Sequence, residues 1–406
     1  MNKMILIILL FVSSYSHGIN LEIINSVVLD TSGLDDFDYT ATFGIYKYGI
    51  SSGMAFSDEY QLLFFPLISK ETSKSQGIMT SSSPNKAQLL AVFDNEGNYV
   101  NSIGQFNSFA NGGIIDISCI KITNDILYVY DSVTKRVSAF RIAPDEFPFL
   151  YSIDTSGMFY SYSFYIKEGM FLGSKPSSYL RENDNAGFIA KIVYDERYPQ
   201  SRSLDLLDTI MPSTAYRNFI SYDYKRTLEI LDRDEEYIKQ NPNVKYLWES
   251  IATGGIYDTV LYELYNEHIF AVNTFGTDVF IFDNNYSVVD SIKIEDFQRF
   301  REEEKQIYDK LESRNVQSIT DRYSKLHSII INEKMELIVL YYCHSSTIAE
   351  MKGYDKFLFI YSLKNNRFVE AFYPIDFIPV SSFEDIVVGL NMDEEELCLE
   401  FYQLEE

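Results

Sequence analysis

The sequence predicts an all-β chain folded as a β-propeller, with six blades of four-stranded antiparallel sheet and helical insertions between some of them. Three observations predict it. A strand-turn-strand pattern recurs along the chain, the apolar composition is weighted towards residues that suit pleated sheets, and each end of the expected mature chain carries strand-like residues with no hairpin partner nearby.

The repeat has most weight, because self-similarity at a blade-sized spacing decides the whole architecture. LLAVFDNEGNYVNSIG from Leu89, LYVYDSVTKRVSAFRI from Leu127, VFIFDNNYSVVDSIKI from Val279 and FLFIYSLKNNRFVEAF from Phe357 share one form. An apolar strand ends in an aromatic residue, then come Asp or Ser, a short polar turn and a second strand. Asp94 to Val100, Asp131 to Val137, Asp283 to Val289 and Ser362 to Phe368 keep a common spacing. A fifth copy around Asp195 keeps the strand, the aromatic and the Asp but has Pro199 where the turn closes. The spacing places Asp94, Asp131, Asp195 and Asp283 at equivalent turns of different blades. Upstream of three hairpins a further strand pair is legible: Ile114 to Ile122 before Ile126 to Tyr130 with a turn at Asn124-Asp125, Tyr262 to Asn273 with a turn at Asn266-Glu267, and Ser328 to Tyr342 with a turn at Asn332-Glu333.

The ends complete the count. Leu21 to Asp30 alternates as a lone strand, with Leu21, Ile23 and Asn25 on one face, and Asp385 to Leu404 is a pair without an outer hairpin. Pairing the two ends hides both edges, as ring closure in propellers does. Five hairpins and this shared blade make six; seven stays open, because the stretches from Asp195 to Asp283 and from Asp283 to Ser362 exceed the roughly 40–50 residues of a blade. Both stretches carry helical periodicity. One insertion is expected near 225–241, with Leu228, Leu231 and Ile238 on one face and a stop at Asn241-Pro242; the other near 295–314, with Phe297, Phe300, Ile307, Tyr308 and Leu311 after a capping Asp296.

Aromatics make up 16% of the chain, 32 Tyr and 30 Phe against a single Trp, which fits half-buried sheets. The formal charge of −25, from 34 basic and 59 acidic residues, argues against nucleic acid or an anionic lipid surface as partner. Residues 1–18 read as a signal peptide: Lys3 precedes the apolar run Met4 to Val12, and Ser16 and Gly18 occupy the small-residue cleavage positions. The expected mature chain is one propeller domain, 19–406, exported to the periplasm or the extracellular space. No cysteine follows the apolar run to carry a lipid anchor, and no later segment has the roughly 20 apolar residues of a membrane span. Cys119, Cys343 and Cys398 lie in strand-like apolar runs and read as buried small hydrophobes.

With their exported start, the hairpins, strongest in LLAVFDNEGNYVNSIG, make the chain resemble the TolB-like and NHL-like six-bladed propellers exported by gut Bacteroidota. In that family an apolar-Gly pair leads into a Gly- and Pro-rich segment; here Ile103-Gly104 is followed by QFNSFANGG, which keeps Gly112 and Gly113 and lacks the proline. The resemblance implies an exported propeller and carries no ligand-binding residue onto this chain.

Chemistry is sparse. The mature chain has three histidines, His268, His327 and His344, and no G-x-S-x-G elbow, H-x-x-x-H or C-x-x-C spacing. Cys343 and His344 are strand neighbours that point to opposite faces. Gly112-Gly113 and Gly254-Gly255 lack the Lys-Ser/Thr of a phosphate loop, and nothing singles out a carboxylate pair for glycoside hydrolysis. No catalytic, cofactor-binding or metal-ligating residue is therefore assigned. Calcium at Asp94-Asn95-Glu96-Gly97-Asn98 is the one metal alternative, and turn formation already accounts for those residues. The expected function is a non-catalytic binding or scaffold module, with a protein or carbohydrate ligand on the rim that carries loops and insertions. A hydrolase or lyase at the mouth of the central channel is the alternative. A purely structural envelope protein would have no concave polar pocket.

Overall fold

The computed structural model describes residues 19–38, 53–70, 88–106, 108–144, 146–156, 163–174, 187–210, 260–274, 278–293, 299, 302–304, 306, 324–344, 346–393 and 396–405. The signal peptide read from residues 1–18 and the insertion expected near 225–241 lie outside them. Within the 295–314 insertion, the described residues Arg299, 302–304 and Gln306 are helical.

Strand β1 (Asn20–Val28) comes first. A four-stranded unit follows, β3 (Ala55–Ser57), β4 (Leu62–Ser69), β5 (Gln88–Asp94) and β6 (Tyr99–Ile103), with the short β2 (Phe37–Asp38) sharing an edge of β4; β7 (Gln105–Phe106) and β8 (Gly113–Ile114) pair in parallel after it. The second unit is β9 (Ile117–Thr123), β10 (Ile126–Asp131), β11 (Arg136–Arg141) and β12 (Phe149–Asp154), and the third is β13 (Tyr165–Lys167), β14 (Met170–Ser174), β15 (Gly187–Tyr194) and β16 (Ser201–Ile210). The fourth holds β17 (Val260–Tyr265), β18 (His268–Asn273), β19 (Asp278–Phe282) and β20 (Val288–Lys293). In the fifth, β21 (Lys325–Asn332), β22 (Leu337–Cys343), β23 (Lys356–Ser362) and β24 (Arg367–Ile375) are interrupted by a short helix α1 (Ser346–Lys352) that the sequence pattern did not suggest. The last strands are β25 (Ile378–Phe383), β26 (Ile386–Asp393) and β27 (Glu396–Glu405).

Within each unit the strands pair antiparallel in sequence order. The innermost strands β3, β9, β13, β17, β21 and β25 follow one another round a ring, β17 meeting the third unit through β14, and β25 returns to β3. This is a β-propeller, nearly all β among the described residues. Its apolar residues form clusters between neighbouring units, for example Ile120, Leu127 and Phe140 against Phe64 and Val92, and Tyr342 and Phe359 against Leu261 and Phe270. Middle strands are covered on both faces, so they read as unbroken apolar runs: β22, LIVLYYC, and β23, KFLFIYS, are buried along their whole length. Outer strands are largely exposed, as in β1 and β20, where Ile23, Ile24, Val28, Val288 and Val289 reach solvent.

Ring closure follows the expected plan with a different division of strands. β1 pairs antiparallel with β27, from Asn20 opposite Glu405 to Val28 opposite Cys398. The C-terminal end supplies three strands of this blade, since Ile378–Phe383 pairs with β26. A register shift between Ile23 and Asn25 breaks the alternation read for the N-terminal strand, leaving Ile23 and Ile24 both exposed while Leu21 packs on the core.

The repeated aspartates divide three to one. Asp94, Asp195 and Asp283 each follow or end the third strand of a unit. Asp94 Oδ1 accepts from the backbone N–H of Glu96 and Asn98 at 2.9 and 2.8 Å, and Asp283 Oδ1 from those of Asn285 and Ser287, both at 2.9 Å, so these two turns are copies. The Asp195 turn is longer, as Pro199 implied, and its carboxylate also binds the Arg197 guanidinium at 2.7 Å. Asp131 departs from the expectation: it ends the second strand of its unit and faces the opposite rim. It is buried, and Oδ2 accepts from the N–H of Ile115 and Asp116 while Oδ1 accepts from Val133 and Thr134. That clamp also explains why Ile114 to Ile122 is not one strand, because Ile115 and Asp116 turn towards Asp131 and only Ile117–Thr123 joins the ladder.

A second irregularity ties two blades together. Outer strands β12 and β16 pair in parallel, Ser152 opposite Ser201 and Ile153 opposite Arg202, which merges the second and third units into one eight-stranded sheet. The Arg202 guanidinium lies 3.3 Å from the centre of the Tyr151 ring, a cation–π contact across the join.

Candidate functional site

Residues of each described innermost strand, β3, β9, β13, β17, β21 and β25, line a cavity of about 980 Å³, within the range of small-molecule sites. Phe56 of β3, Lys121 of β9, Tyr165 of β13, Glu263 of β17, Ser328 of β21 and Ser381 of β25 each contribute to the wall. Asp58, Glu59, Glu168, Glu333, Lys334 and Glu384 also line it, and all lie in turns between the first and second strands of their units. Such turns share one end of the ring, so they form the mouth of the cup.

These turns are tight, which sets the position of their side chains. Glu168 (φ 50°) with Gly169 (φ 80°), and Asn266 (φ 47°) with Glu267 (φ 66°), are two-residue hairpin loops with both residues left-handed, the form that matches strand twist. The turn at 333–336 is wider than the Asn332-Glu333 pair suggested: Asn332 Oδ1 accepts from the Met335 N–H at 2.9 Å and Glu336 takes the positive φ of 52°.

Inside the cup Lys121 Nζ reaches past the third unit to Glu263 Oε2 at 3.1 Å and to the Tyr262 carbonyl oxygen at 3.3 Å. Both side chains are about a quarter exposed or less, 20% and 26%, so the pair is shielded but wet. Burial, then the charge of Glu263, pushes the Tyr165 phenol above its usual range, with Glu333 adding to it. Tyr60 and Tyr286 are raised in the same way, by burial first and then by Asp125 and Glu59, and by Glu168.

The structure separates the three histidines. His268 is exposed at a hairpin, with Nδ1 2.8 Å from the Asn266 carbonyl oxygen. His327 is buried on β21, where it lines the cup with its ring 5.6 Å from that of Tyr341. His344 is buried at the end of β22 in a cluster that sequence reasoning missed. Ser324 Oγ lies 2.6 Å from His344 Nδ1 and donates to Glu304 Oε1, which also accepts from the Ser324 N–H at 3.1 Å. Glu304 and His344 are 3.7 Å apart with no side-chain exposure. Serine and carboxylate share the same ring nitrogen here, whereas a nucleophile needs the base on one nitrogen and the orienting carboxylate on the other. The cluster fastens the described helical residues of the 295–314 insertion to the fifth blade. No local spacing could have announced it, since its three members come from separate segments.

All three cysteines are buried and none is in a disulfide among the described residues, in line with their apolar runs. Burial pushes the Cys343 thiol up to about 12. No group of three His, Cys, Asp or Glu side chains able to hold a metal ion occurs among the described residues. At the Asp94 turn the carboxylate is engaged by Glu96, by Asn98 and by the Asn98 amide. On the cup wall the buried Ser328 Oγ has no hydrogen-bond partner among the described residues.

No protein-family model matches the chain, and no curated protein matches it in sequence. Among solved structures it is similar to a member of the DUF4221 family from Bacteroides vulgatus, with a TM-score of 0.51 at 9% identity over 96% of this chain and 99% of that one. It is also similar to a protein described as exported from Bacteroides fragilis, with a TM-score of 0.48 at 13% identity over 97% of both chains. No helix among the described residues is long and apolar enough to cross a membrane. The likeness to the Bacteroides vulgatus structure is one of fold.

Proposed function

We propose that this chain is an exported six-bladed propeller of the TolB-like or NHL-like type, acting as a binding module whose ligand sits in the cup at the channel mouth. The observation that carries the reading is the cavity of about 980 Å³, walled by each described inner strand and rimmed by the turns of one end. Export to the periplasm or the extracellular space rests on Lys3, the Met4 to Val12 run and the Ser16 and Gly18 positions. The cup replaces the insertion-bearing rim as the expected site, because its residues sit on strand ends and tight turns, which hold side chains better than long loops do.

Ser381 lies on the cup wall and is partly exposed, so Ser381→Trp should fill the cavity without displacing a core side chain. Thermal shift against a panel of amines, sugars, peptides and carboxylates is the test. A ligand that raises Tm of the native protein and leaves Ser381→Trp unmoved supports the cup; a ligand that stabilises both equally places binding elsewhere. The six carboxylates on the wall favour a second reading, a hydrolase or lyase at the same mouth. Recovering the bound ligand chemically unchanged after prolonged incubation decides against it.

A further inference from the structure

We propose that the cup takes an elongated organic cation carrying two or more ammonium groups, a linear polyamine in chemical class; this rests on the cup being the binding site. The wall carries six carboxylates, Asp58, Glu59, Glu168, Glu263, Glu333 and Glu384, against the lysines Lys121, Lys167 and Lys334. Each lysine is engaged. Lys121 is on Glu263 at 3.1 Å, Lys334 is 3.8 Å from Glu384, and Lys167 Nζ donates to Asn284 Oδ1 at 3.0 Å. Asp58, Glu59, Glu168 and Glu333 have no ion pair among the described residues, so the mouth presents negative charge from three different blades. Lys167 is the one wall lysine with no ion pair among the described residues, so an anionic ligand would meet four uncompensated carboxylates against one uncompensated ammonium.

The interior gives an independent reason. On the cup wall the Lys121 ammonium already sits between a carboxylate oxygen and the Tyr262 carbonyl oxygen, 3.1 and 3.3 Å away, so the wall accepts an alkyl-ammonium group on protein acceptors. Elsewhere on the wall, the buried Ser328 Oγ has no hydrogen-bond partner among the described residues, an unusual state for a buried hydroxyl. Ile120, Leu261, Ile329 and Phe56, buried in the packing between blades, also line the cavity, so a methylene chain would meet apolar as well as charged wall. The chain's formal charge of −25 raises the local concentration of cations at low salt.

The test is calorimetric titration of the native protein with spermidine, compared with maltotriose as a neutral probe and glutarate as an anionic one. Spermidine should bind, glutarate should not, and raising the salt should weaken spermidine binding. Glu168→Gln with Glu333→Gln, both at exposed turns, should weaken it about fivefold, as expected for two partly screened charge contacts. Ser381→Trp should abolish it. If spermidine fails to bind, or the double variant binds it as the native protein does, the cationic class is overturned; maltotriose binding lost in Ser381→Trp would then leave the cup standing. Spermidine binding that survives Ser381→Trp overturns the cup itself, since it would report the general negative surface.

Discussion

Asp30 donates its backbone N–H to the carbonyl oxygen of Gly97 at 2.7 Å, which fastens the N-terminal strand to the β5–β6 turn of the first blade. The contact is close on both sides. A methyl group on Gly97 would lie 2.3 Å from the Val28 carbonyl oxygen, and Gly97 itself has φ 85°, where side chains are strained. The strand therefore belongs to the last blade by pairing and touches the first by packing, so ring closure passes through Gly97.

Gly97→Ala should cost at least about 2 kcal/mol, combining a strained backbone with a clash that only movement of β1 relieves. Urea unfolding measures it. An unchanged midpoint would mean that β1 is not held against this turn.

Deleting residues 19–30 should destabilise the whole propeller. Ile19 and Leu29 are buried in the cluster shared by the first blade, the blade of β21–β24 and the closing blade, and losing β1 bares the edge of β27. Loss of those side chains and the ladder should exceed about 5 kcal/mol, of the order of a domain's whole stability. Thermal melts of the truncated and full mature chains should differ by more than about 10 °C. Equal melting temperatures would mean that the ring does not depend on this strand.

Glu304→Ala should cost about 3 kcal/mol, because it leaves Ser324 and His344 buried without the carboxylate they share. Glu304→Gln should cost less, since its amide oxygen can still accept from Ser324. Equal midpoints for the two variants and the native protein would show that the cluster does not anchor the insertion.

The three thiols should be inert in the folded protein. All are buried, and the Cys343 thiol, pushed up to about 12 by burial, stays protonated at neutral and mildly alkaline pH. A thiol reagent at pH 8 should label none of them until denaturant is added. Rapid labelling of one cysteine in the native state would place it at the surface.

Features that are local in the chain are legible in the sequence. Strand runs, hairpin turns and the aspartates at their ends are written within a few residues, so spacing alone matches Asp94 and Asp283 as copies, and the unpartnered ends point to ring closure. Even the middle strands of the fifth blade can be read, because burial on both faces demands unbroken apolar runs. Whatever depends on distant segments meeting emerges only on folding. Asp131 resembles its counterparts in sequence, yet it ends a second strand and is spent on Ile115 and Asp116, since nothing in a hairpin records its place in the blade. Lys121 and Glu263 are separated by some 140 residues, and only the curvature of the ring brings their inner strands within reach of one another. The cup is the sum of such convergences: a wall built from one strand of each blade has no spacing in the chain that could announce it.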